Sequence, residues 1–566
     1  MTENWEEKAR GRHAKDRRDC FCRSGFQEGV GADDRYAGPA THVEDSMSEH
    51  RVKDHQVVVN ANVITMDAAD TRCDALAIEG DRIVRRGTQT DMADLIGQRW
   101  PTRDLKGRTV LPGFIDTHEH LMLTGSSETA VHLDDVRQLD EILDRISERA
   151  SQTAKNAWVR GSFLNEQNLD TRAMPTREAI DRAVPDHPVF LMHATCHMAS
   201  MNSAALEILR PPLGMAGLDL EGGRPNGVVR DPGILTFIHP AMAKIISEDE
   251  KVDFMREAAD MALKKGITTL HSLDGGDLGP GDTRVICQNR HRLPVRIVSY
   301  NQSMDLNEVR ELGLTRIGGC ICSDGAFEAH TAALFEPYAD EPDNYGALTY
   351  SQEEMDRFVM AAHCEGFQIA VHCESERSIE QVLWAMEKAL RAAPRKDHRH
   401  RIEHLELPTR RQIERMAQHG IMASMQPAFI PAFIGSEDMA TYGVLLGKSR
   451  LCRVHPYRTI LDAGIPISGG SDSPVTPYNP LAGVQAAATH PNSHERVSIR
   501  QALEMFTVTA AWSAFEEKEK GTVETGKLAD LVVLEQDPYA VPVGTIQNIG
   551  VHSVCVGGRW HGAQTS

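Results

Sequence analysis

The feature that most constrains this chain is a regular alternation through its centre. Apolar, strand-like runs are separated by longer stretches with helical periodicity, and this order is typical of βα units built around a parallel sheet. When such units repeat about eight times, the sheet closes into a (β/α)8 TIM-like barrel of the α/β class. The strand-like runs are residues 111–116, 188–193, 267–272, 295–300, 317–323, 367–373, 401–405, 421–425 and 465–470.

One of these runs has no place in an eight-stranded barrel. The gap between residues 121 and 266 is long and contains several Pro and Gly breaks, among them the segment from Gly222 to Gly227. We therefore assign the run 188–193 to an insertion after the first barrel strand, and the remaining runs become barrel strands one to eight. We expect this insertion to cover the mouth of the barrel.

The two ends of the chain have a different texture from its centre. Short strands separated by turn residues occur in residues 55–110, and they return in residues 511–566 after the end of a helix. We predict one small β-sandwich domain built from both termini, with the barrel in residues 111–510. Residues 1–54 are polar, charged and without periodicity, which predicts a disordered tail, and Met47 offers an alternative start within it.

The composition excludes several classes of partner. The formal net charge of −20 opposes binding to nucleic acid or to anionic membrane surfaces, because both require clustered Lys and Arg. No apolar run is long enough to span a bilayer, and the first residues lack the apolar core of a secretory signal. Eleven cysteines without regular paired spacing predict reduced thiols in the cytoplasm. We expect a small-molecule substrate, and a homodimer because dimers are the commonest assembly.

Histidines and one acid follow the apolar runs where the barrel strands end. Reactive groups of such a barrel collect at the carboxyl ends of its strands. The first run delivers His118 and His120, which are two residues apart and therefore share one face of the strand. The fifth, sixth and eighth runs deliver His372, His404 and Asp472. Side chains from four distant strands are thus predicted to converge, and converging imidazoles can bind one metal ion.

A second histidine pair with the same spacing is interpreted differently. His398 and His400 lie in a polar, basic segment, which we interpret as a solvated approach to the sixth strand. The pair His118 and His120 instead follows a hydrophobic strand that Pro112 and Gly113 open. That context favours a metal site for the first pair only.

Several longer segments around these residues form a distinctive set. They are LPGFIDTHEH (111–120), GITTLHSLDGG (266–276), SDGAFEAHTAAL (323–334), VHCESERSIEQVL (371–383), HRIEHLELP (400–408), GGSDSPVTPYNPLAGVQAA (469–487) and GTVETGKLADLVVLEQDP (521–538). Together they resemble the metal-dependent amidohydrolase superfamily, specifically the branch that includes N-substituted formamide deformylases. The resemblance covers roughly residues 55–566. It implies a barrel hydrolase in which His118, His120, His372 and His404 bind the metal and Asp472 is the catalytic acid and base.

The residue types agree with what the resemblance implies. Imidazole ligands favour zinc, which lowers the pKa of a bound water toward 7 and polarises a substrate carbonyl. Asp472 can then take the proton of the attacking water and return it to the leaving nitrogen. Asp116, on the first strand beside the ligands, is a candidate for orienting an imidazole.

The fourth strand departs from many two-metal relatives, which carry a carboxylated lysine there. No lysine occurs from Gly266 to Glu387, and the strand instead contains Cys320 and Cys322 on one face. Either the site holds a single metal or a thiolate replaces the bridge. A third reading is that both cysteines are simply small buried residues. We favour one tightly bound divalent ion per active site.

The insertion and the loops after the strands are expected to select the substrate. By resemblance, His197 matches a histidine of the relatives, and it precedes the segment from Asn202 to Leu206. His271 ends the second strand, while Phe327 and His330 follow the fourth. We predict that these four residues contact substrate, and ordinary packing is the alternative for each.

These observations predict an enzyme that hydrolyses the C–N amide bond of a small N-acyl compound, with N-substituted formamides among its candidates. Esters and carbamates remain open, because the same activated water attacks their carbonyls. Deamination of a heterocycle is a second reading, but deaminating relatives usually carry a glutamate where this chain has Ser375. A non-enzymatic assembly protein would have lost ligand histidines, and this chain keeps all four.

Overall fold

Eight parallel strands form a nearly closed barrel. The structure is a computed structural model, and it describes residues 55–562 apart from 195, 197, 231, 277–278 and 435–440. Each barrel strand pairs with the next along the chain, and a bridge between Glu119 and Ser473 links the first strand to the segment after the eighth. The strands are β1 (Phe114–Glu119), β2 (Ile267–Asp274), β3 (Arg296–Asn301), β4 (Arg316–Cys322), β5 (Gln368–Cys373), β6 (Arg401–His404), β7 (Met422–Met425) and β8 (Ile467–Gly469).

Helices connect the strands, and polar caps define where several of them begin. The helices that start after Ser247, Ser351 and Thr409 each have a capping box, in which the cap and the third helical residue satisfy each other's backbone N–H groups. The α-helices of the barrel region are Leu121–Glu128, Glu248–Lys264, Asp282–Asn289, Leu306–Glu311, Gln352–Cys364, Glu376–Ala392, Arg410–His419, Thr441–Leu446, Lys448–Leu451, Tyr457–Asp462, Pro480–Ala488, Ile499–Met505 and Val508–Ser513.

The start of the barrel differs from the prediction. The run from Leu111 was expected to form one barrel strand, but it contributes to two sheets. Leu111 and Pro112 end a strand that pairs with Leu531–Leu534 in the terminal domain, whereas β1 begins at Phe114 and pairs with β2. Both segments are fully buried, so hydrophobicity alone does not separate them. The chain changes sheet at Gly113, where a Cβ atom would lie 2.3 Å from the Thr268 side chain.

The insertion after β1 is a six-stranded mixed sheet with helices packed on it. The predicted strand in residues 188–193 lies within this sheet, as expected. Two hydrophobic cores, one on each side of the sheet, hold the insertion together. Its strands are Val131–His132, Val159–Leu164, Val189–His193, Met198–Met201, Leu218–Glu221 and Arg224–Arg230, and its α-helices are Leu139–Gln152, Arg177–Ala183, Ser203–Leu209 and His239–Ile245.

Both ends of the described chain combine into a small sandwich of two sheets, which confirms that prediction. The first sheet contains His55–Val59, Ala75–Glu79, Arg82–Gly87 and Thr102–Asp104, with the helix Ala93–Gly97 beside it. The second contains Asn62–Ile64, Arg72–Cys73, Thr109–Pro112, Leu531–Leu534, Val551–Val556 and Arg559–Gly562. A shared hydrophobic core between the sheets includes Val58, Ile78, Val110 and Val533.

Two predictions concern the rest of the chain. The predicted tail, residues 1–54, lies outside the described residues. Within the residues that the structure describes, no helix is long and apolar enough to cross a membrane.

Candidate active site

Side chains at or just after the carboxyl ends of β1, β5, β6 and β8 meet at one point. His118 Nε2 lies 3.2 Å and His120 Nε2 lies 3.1 Å from Asp472 Oδ1. The ring centroid of His404 lies 4.7 Å from that of His118 and 4.4 Å from that of His372. All five side chains are buried. Their arrangement agrees with the predicted convergence.

His118, in β1, and His120, directly after it, each have one ring nitrogen held by the protein, which leaves the other for a ligand. His118 Nδ1 lies 2.7 Å from Glu403 Oε2 and donates to this carboxylate when the proton is on Nδ1. His120 Nδ1 lies 2.7 Å from the Leu273 carbonyl oxygen, which can only accept. Both bonds direct Nε2 toward Asp472, and fixing the second nitrogen in this way is how proteins orient imidazole ligands of metals.

Glu403 is the principal site residue that the sequence analysis missed. Arg401, which is fully buried, donates two hydrogen bonds to it and a third of 2.6 Å to the Thr117 carbonyl oxygen. Burial opposes ionisation of Glu403, but the Arg401 guanidinium holds its pKa below the usual value. The sequence did contain an indication: Arg401 and Glu403 are two charged residues at alternate positions of a buried strand.

The backbone of β6 explains how consecutive residues both reach the site. Side chains alternate between the faces of a regular strand, so Glu403 and His404 should point apart. His404 has a φ of 68°, which takes the chain out of the extended conformation at that residue. Consequently the Glu403 carboxylate and the His404 ring both contact His118. Asp472 also has a positive φ, of 57°.

Asp116 lies on β1 beside the ligands, as expected, but its hydrogen bonds are to the backbone. It was a candidate for orienting an imidazole, but its Oδ1 accepts hydrogen bonds from two backbone N–H groups, those of His118 at 3.2 Å and Ser471 at 3.0 Å. It therefore ties β1 to the segment after β8. Burial raises the pKa of Asp116 to about 6.

The charges and donor atoms at the site fit a bound cation. Burial alone would raise the pKa of Asp472, but the adjacent His118 holds it well below its usual range, so the carboxylate is ionised. Burial opposes protonation of His118, yet Asp472 and Glu403 raise its pKa to about 9. Although His118 Nε2 and Asp472 Oδ1 are buried at contact distance, neither atom makes a well-aligned hydrogen bond within the described residues. A divalent ion would satisfy both.

Cys320 lies among these donors, whereas Cys322, which also lines the cavity above the strand ends, belongs to none of the donor groups within the described residues. The Cys320 sulfur and ligand atoms of His118 and His120 lie within 4.8 Å of one another, and the same holds for Cys320 with His372 and His404. Cys322 Sγ lies 3.4 Å from the Cys320 carbonyl oxygen. The geometry therefore keeps Cys320, rather than Cys322, as a candidate ligand from β4.

A cavity of about 820 Å³ opens above the strand ends. His120, His372, His404 and Asp472 line one part of it, and the insertion contributes much of the opposite wall. The insertion thus covers the barrel mouth, as predicted. A site of this kind, with reactive groups at one end of a mostly apolar pocket, suits a small molecule.

The predicted substrate contacts are largely elsewhere. His271 lies under the site, 3.4 Å from Arg401 Nη1, and Phe327 is buried against the Tyr442 ring. His330 is bonded to Asp340 at 2.9 Å. None of these three described residues lines the cavity, which differs from the prediction. His197 lies outside the described residues.

The second histidine pair is buried, so its interpretation as a solvated segment was wrong. His398 and His400 are 1% and 0% exposed. His400 Nε2 lies 2.9 Å from His363 Nδ1, and His398 accepts a 2.9 Å hydrogen bond from the His400 backbone N–H. Both histidines thus have hydrogen-bond partners inside the protein, and neither belongs to a solvated surface segment.

Comparisons with known proteins agree with this architecture. The profile described as the amidohydrolase family matches residues 102–560. The chain belongs to the amidohydrolase family. It is therefore a hydrolase of the amidohydrolase type, and its candidate metal-binding residues lie together at the barrel mouth.

Individual relatives span nearly the whole chain. The protein YtcJ of Bacillus subtilis (strain 168) is 28% identical over 528 residues, covering 88% of this chain and 97% of its own length. The N-substituted formamide deformylase of Arthrobacter pascens is 27% identical over 549 residues, covering 89% and 97%. An uncharacterized metal-dependent hydrolase from Pyrococcus furiosus has a crystal structure that matches with a TM-score of 0.72 at 25% identity, covering 86% of this chain and 99% of that one.

Proposed function

We propose that this protein hydrolyses the C–N amide bond of small N-acyl compounds, with N-substituted formamides as the substrate class. The observation that carries the proposal is the meeting of four imidazoles with an ionised aspartate at one end of a mostly apolar cavity. The 27% identity to a protein named N-substituted formamide deformylase supports the choice of amide.

We propose one divalent ion, zinc, held by His118, His120, His372 and His404. The orientation of His118 by Glu403 and of His120 by a backbone carbonyl supports this ligand set. When bound, the ion lowers the pKa of a water and polarises the substrate carbonyl. Cys320 is a neighbour of the ion rather than a ligand in this proposal; without an ion, its contact with Cys322 and its burial raise the pKa of its thiol well above the usual value.

Asp472 carries the protons in the proposed reaction. Its carboxylate is ionised before the reaction, so it can accept a proton from the attacking water. The same group then gives that proton to the amide nitrogen, which departs as a neutral amine when the C–N bond breaks. An amine leaves poorly as an anion, and this transfer therefore limits turnover if Asp472 is replaced.

The position of Ser375 argues against deamination. Its hydroxyl oxygen lies 2.6 Å from Asp324 Oδ2 and 2.6 Å from the Ala333 carbonyl oxygen, and its side chain is fully buried. The residue thus has a structural contact and lies away from the cavity lining. A heterocycle would find no proton-transferring group from this position.

A substrate screen tests the proposal. Zinc-loaded protein is assayed with formanilide, benzylformamide, longer N-acyl amines, a carbamate, an ester and an aminopyrimidine, with release of amine as the readout for amides. We expect turnover of the formamides, and a fall of at least about a thousandfold in kcat for Asp472→Asn with unchanged metal content. Turnover confined to the aminopyrimidine, or full activity in Asp472→Asn, would contradict the proposal.

A further inference from the structure

The segment that carries Asp472 joins β8 to the helix Pro480–Ala488 and runs beside the end of β1. The Asp472 backbone N–H donates a 2.7 Å hydrogen bond to the His118 carbonyl oxygen. One residue further, the Ser473 carbonyl oxygen accepts a 3.0 Å hydrogen bond from the His120 N–H. Asp472 has a φ of 57°, which is uncommon for a residue with a Cβ atom and persists only where the surroundings fix it. The orientation of the Asp472 carboxylate therefore depends on what holds this segment.

A buried hydrogen bond between two side chains fixes the far end of the segment. Tyr478 Oη donates to Glu119 Oε2 at 2.6 Å, and both residues are buried. Next along the chain, the Asn479 side chain accepts from the Ala482 N–H and caps the start of the helix Pro480–Ala488. The segment is thus held to β1 at Tyr478, immediately before the helix begins.

Glu119 is placed to connect this contact with the site. It lies on β1 between His118 and His120, and side chains alternate along a strand, so it points away from the metal site while its neighbours point into it. Its backbone also forms a bridge with Ser473, the residue after Asp472. Glu119 therefore contacts the Asp472 segment twice, through its backbone next to Asp472 and through its side chain at Tyr478.

From these contacts we infer that Tyr478 and Glu119 are positioning residues for Asp472, a role that rests on the proposed function. Neither residue lines the cavity, so both act through the segment rather than on the substrate. Their hydrogen bond holds the segment where the Asp472 carboxylate can reach both the attacking water and the amide nitrogen. Such placement matters because a shift of about 1 Å can lower a rate about a hundredfold.

Removal of one hydroxyl group tests the inference on the zinc-loaded protein. With benzylformamide as substrate, Tyr478→Phe should lower kcat about 10- to 100-fold, while KM stays within about threefold of the parent and zinc content is unchanged. Tyr457→Phe is the matched control, because Tyr457 is also buried and its hydroxyl has no hydrogen-bond partner within the described residues. Its kcat should equal that of the parent. A parental kcat in Tyr478→Phe, a loss confined to KM or zinc content, or an equal loss in Tyr457→Phe would overturn the inference.

Substitutions of Glu119 test the same hydrogen bond from its other side. Glu119→Met removes the acceptor without leaving an unpaired carboxyl group, and it should reproduce the loss of kcat. In Glu119→Gln the amide oxygen can still accept from Tyr478, so most of kcat should be retained. This pair of variants replaces Tyr478→Phe if that protein does not fold. A Glu119→Gln protein as impaired as Glu119→Met would overturn the inference.

The basicity of the leaving amine separates positioning from a general effect on the fold. Because Asp472 gives a proton to the leaving nitrogen, the deficit of Tyr478→Phe should shrink from benzylformamide to formanilide and then to 4-nitroformanilide, whose amine departs most easily without that proton. A deficit of the same size for all three amides would overturn the inference and leave the proposed function standing. No hydrolysis of any of them by the parent would refute the proposed function, and this inference with it.

Discussion

Glu403 is the residue whose contacts say most about how the site is held. It accepts from His118 Nδ1 at 2.7 Å and is itself fixed by Arg401. We predict that Glu403→Gln weakens zinc binding about 10- to 100-fold, because the amide orients the ring less firmly and makes it less basic. Competition with a chromogenic chelator measures this affinity.

Asp116→Asn is the matched control for that substitution. Asp116 is equally buried and acidic, but it bonds backbone N–H groups rather than a ring, and an asparagine oxygen can still accept them. Its zinc affinity should stay within about threefold of the parent. Equal weakening in both variants would mean that loss of buried charge, not orientation of His118, controls the affinity.

The buried histidines around His398 predict a dependence of stability on pH. Burial lowers the pKa of His398 to about 4, and it also lowers the pKa of His363 and His400. The unfolded chain, with histidine pKa values near 6.5, therefore binds more protons between about pH 6.5 and 4. Stability from these groups is present above pH 6.5 and is lost as the pH falls through that window.

His398→Asn isolates this contribution. Its side-chain oxygen can still accept from the His400 backbone N–H, but it does not titrate. We expect the parent to lose up to about 3 kcal/mol more than the variant between pH 7 and pH 4. Urea unfolding at several pH values measures the difference. Parallel curves for the two proteins would show that His398 is not the group responsible.

These residues also show what the sequence could predict at this scale. The sequence predicted the positions of the four histidines and the aspartate, because the carboxyl ends of all barrel strands lie at the same face of the barrel. These residues are His118, His120, His372, His404 and Asp472. The position of Glu403 was not predicted, since its approach to His118 depends on the positive φ of the next residue. His398 and His400 were mistaken for solvated residues, because their polar neighbours in sequence hide their burial.

Strand β4 is the element with the most demanding backbone. Gly318 and Gly319 have φ values of 90° and 106°, and a Cβ atom at Gly318 would lie 2.0 Å from the Ala370 carbonyl oxygen of β5. The register between β4 and β5 shifts just after this point, between Gly318 and Cys322. The glycines thus set how Cys320 enters the site.

We predict that Gly318→Ala is strongly destabilising, by roughly 2–4 kcal/mol, because it adds a backbone clash to an unfavourable φ. Gly313→Ala is the control for φ alone: Gly313 has a φ of 65°, and nothing lies within 4 Å of its added Cβ. It should cost about 1 kcal/mol. Urea unfolding midpoints compare the two, and a Gly318→Ala protein as stable as Gly313→Ala would contradict the clash.

At the scale of the whole molecule, the sequence predicted the order of the strands better than the shape and lining of the cavity. The count of apolar runs was sufficient to assign eight strands to the barrel and one to the insertion, since each buried parallel strand reads as a continuous apolar run. The change of sheet at Gly113 was hidden, because Leu111 and Phe114 are equally apolar and buried. The apolar lining that the insertion gives to the cavity was also hidden, because Phe190 and Met242 are brought together only by folding of the insertion.

The site joins strands from both ends of the barrel, so removing a shared metal should affect the whole fold. His118 on β1 and His404 on β6 are separated by most of the barrel in sequence, and an ion bound to both is absent from the unfolded chain. We predict that chelation lowers the free energy of unfolding by about 4 kcal/mol relative to zinc at a thousandfold excess over Kd, and abolishes hydrolysis. Scanning calorimetry and amine release measure the two effects.

Under the one-ion proposal, a single equivalent of zinc per chain restores both stability and hydrolysis together, and Cys320→Ala binds that equivalent as the parent does. If the parent instead requires a second equivalent of zinc, and Cys320→Ala no longer binds it, the Cys320 thiolate is a ligand and the site holds two ions.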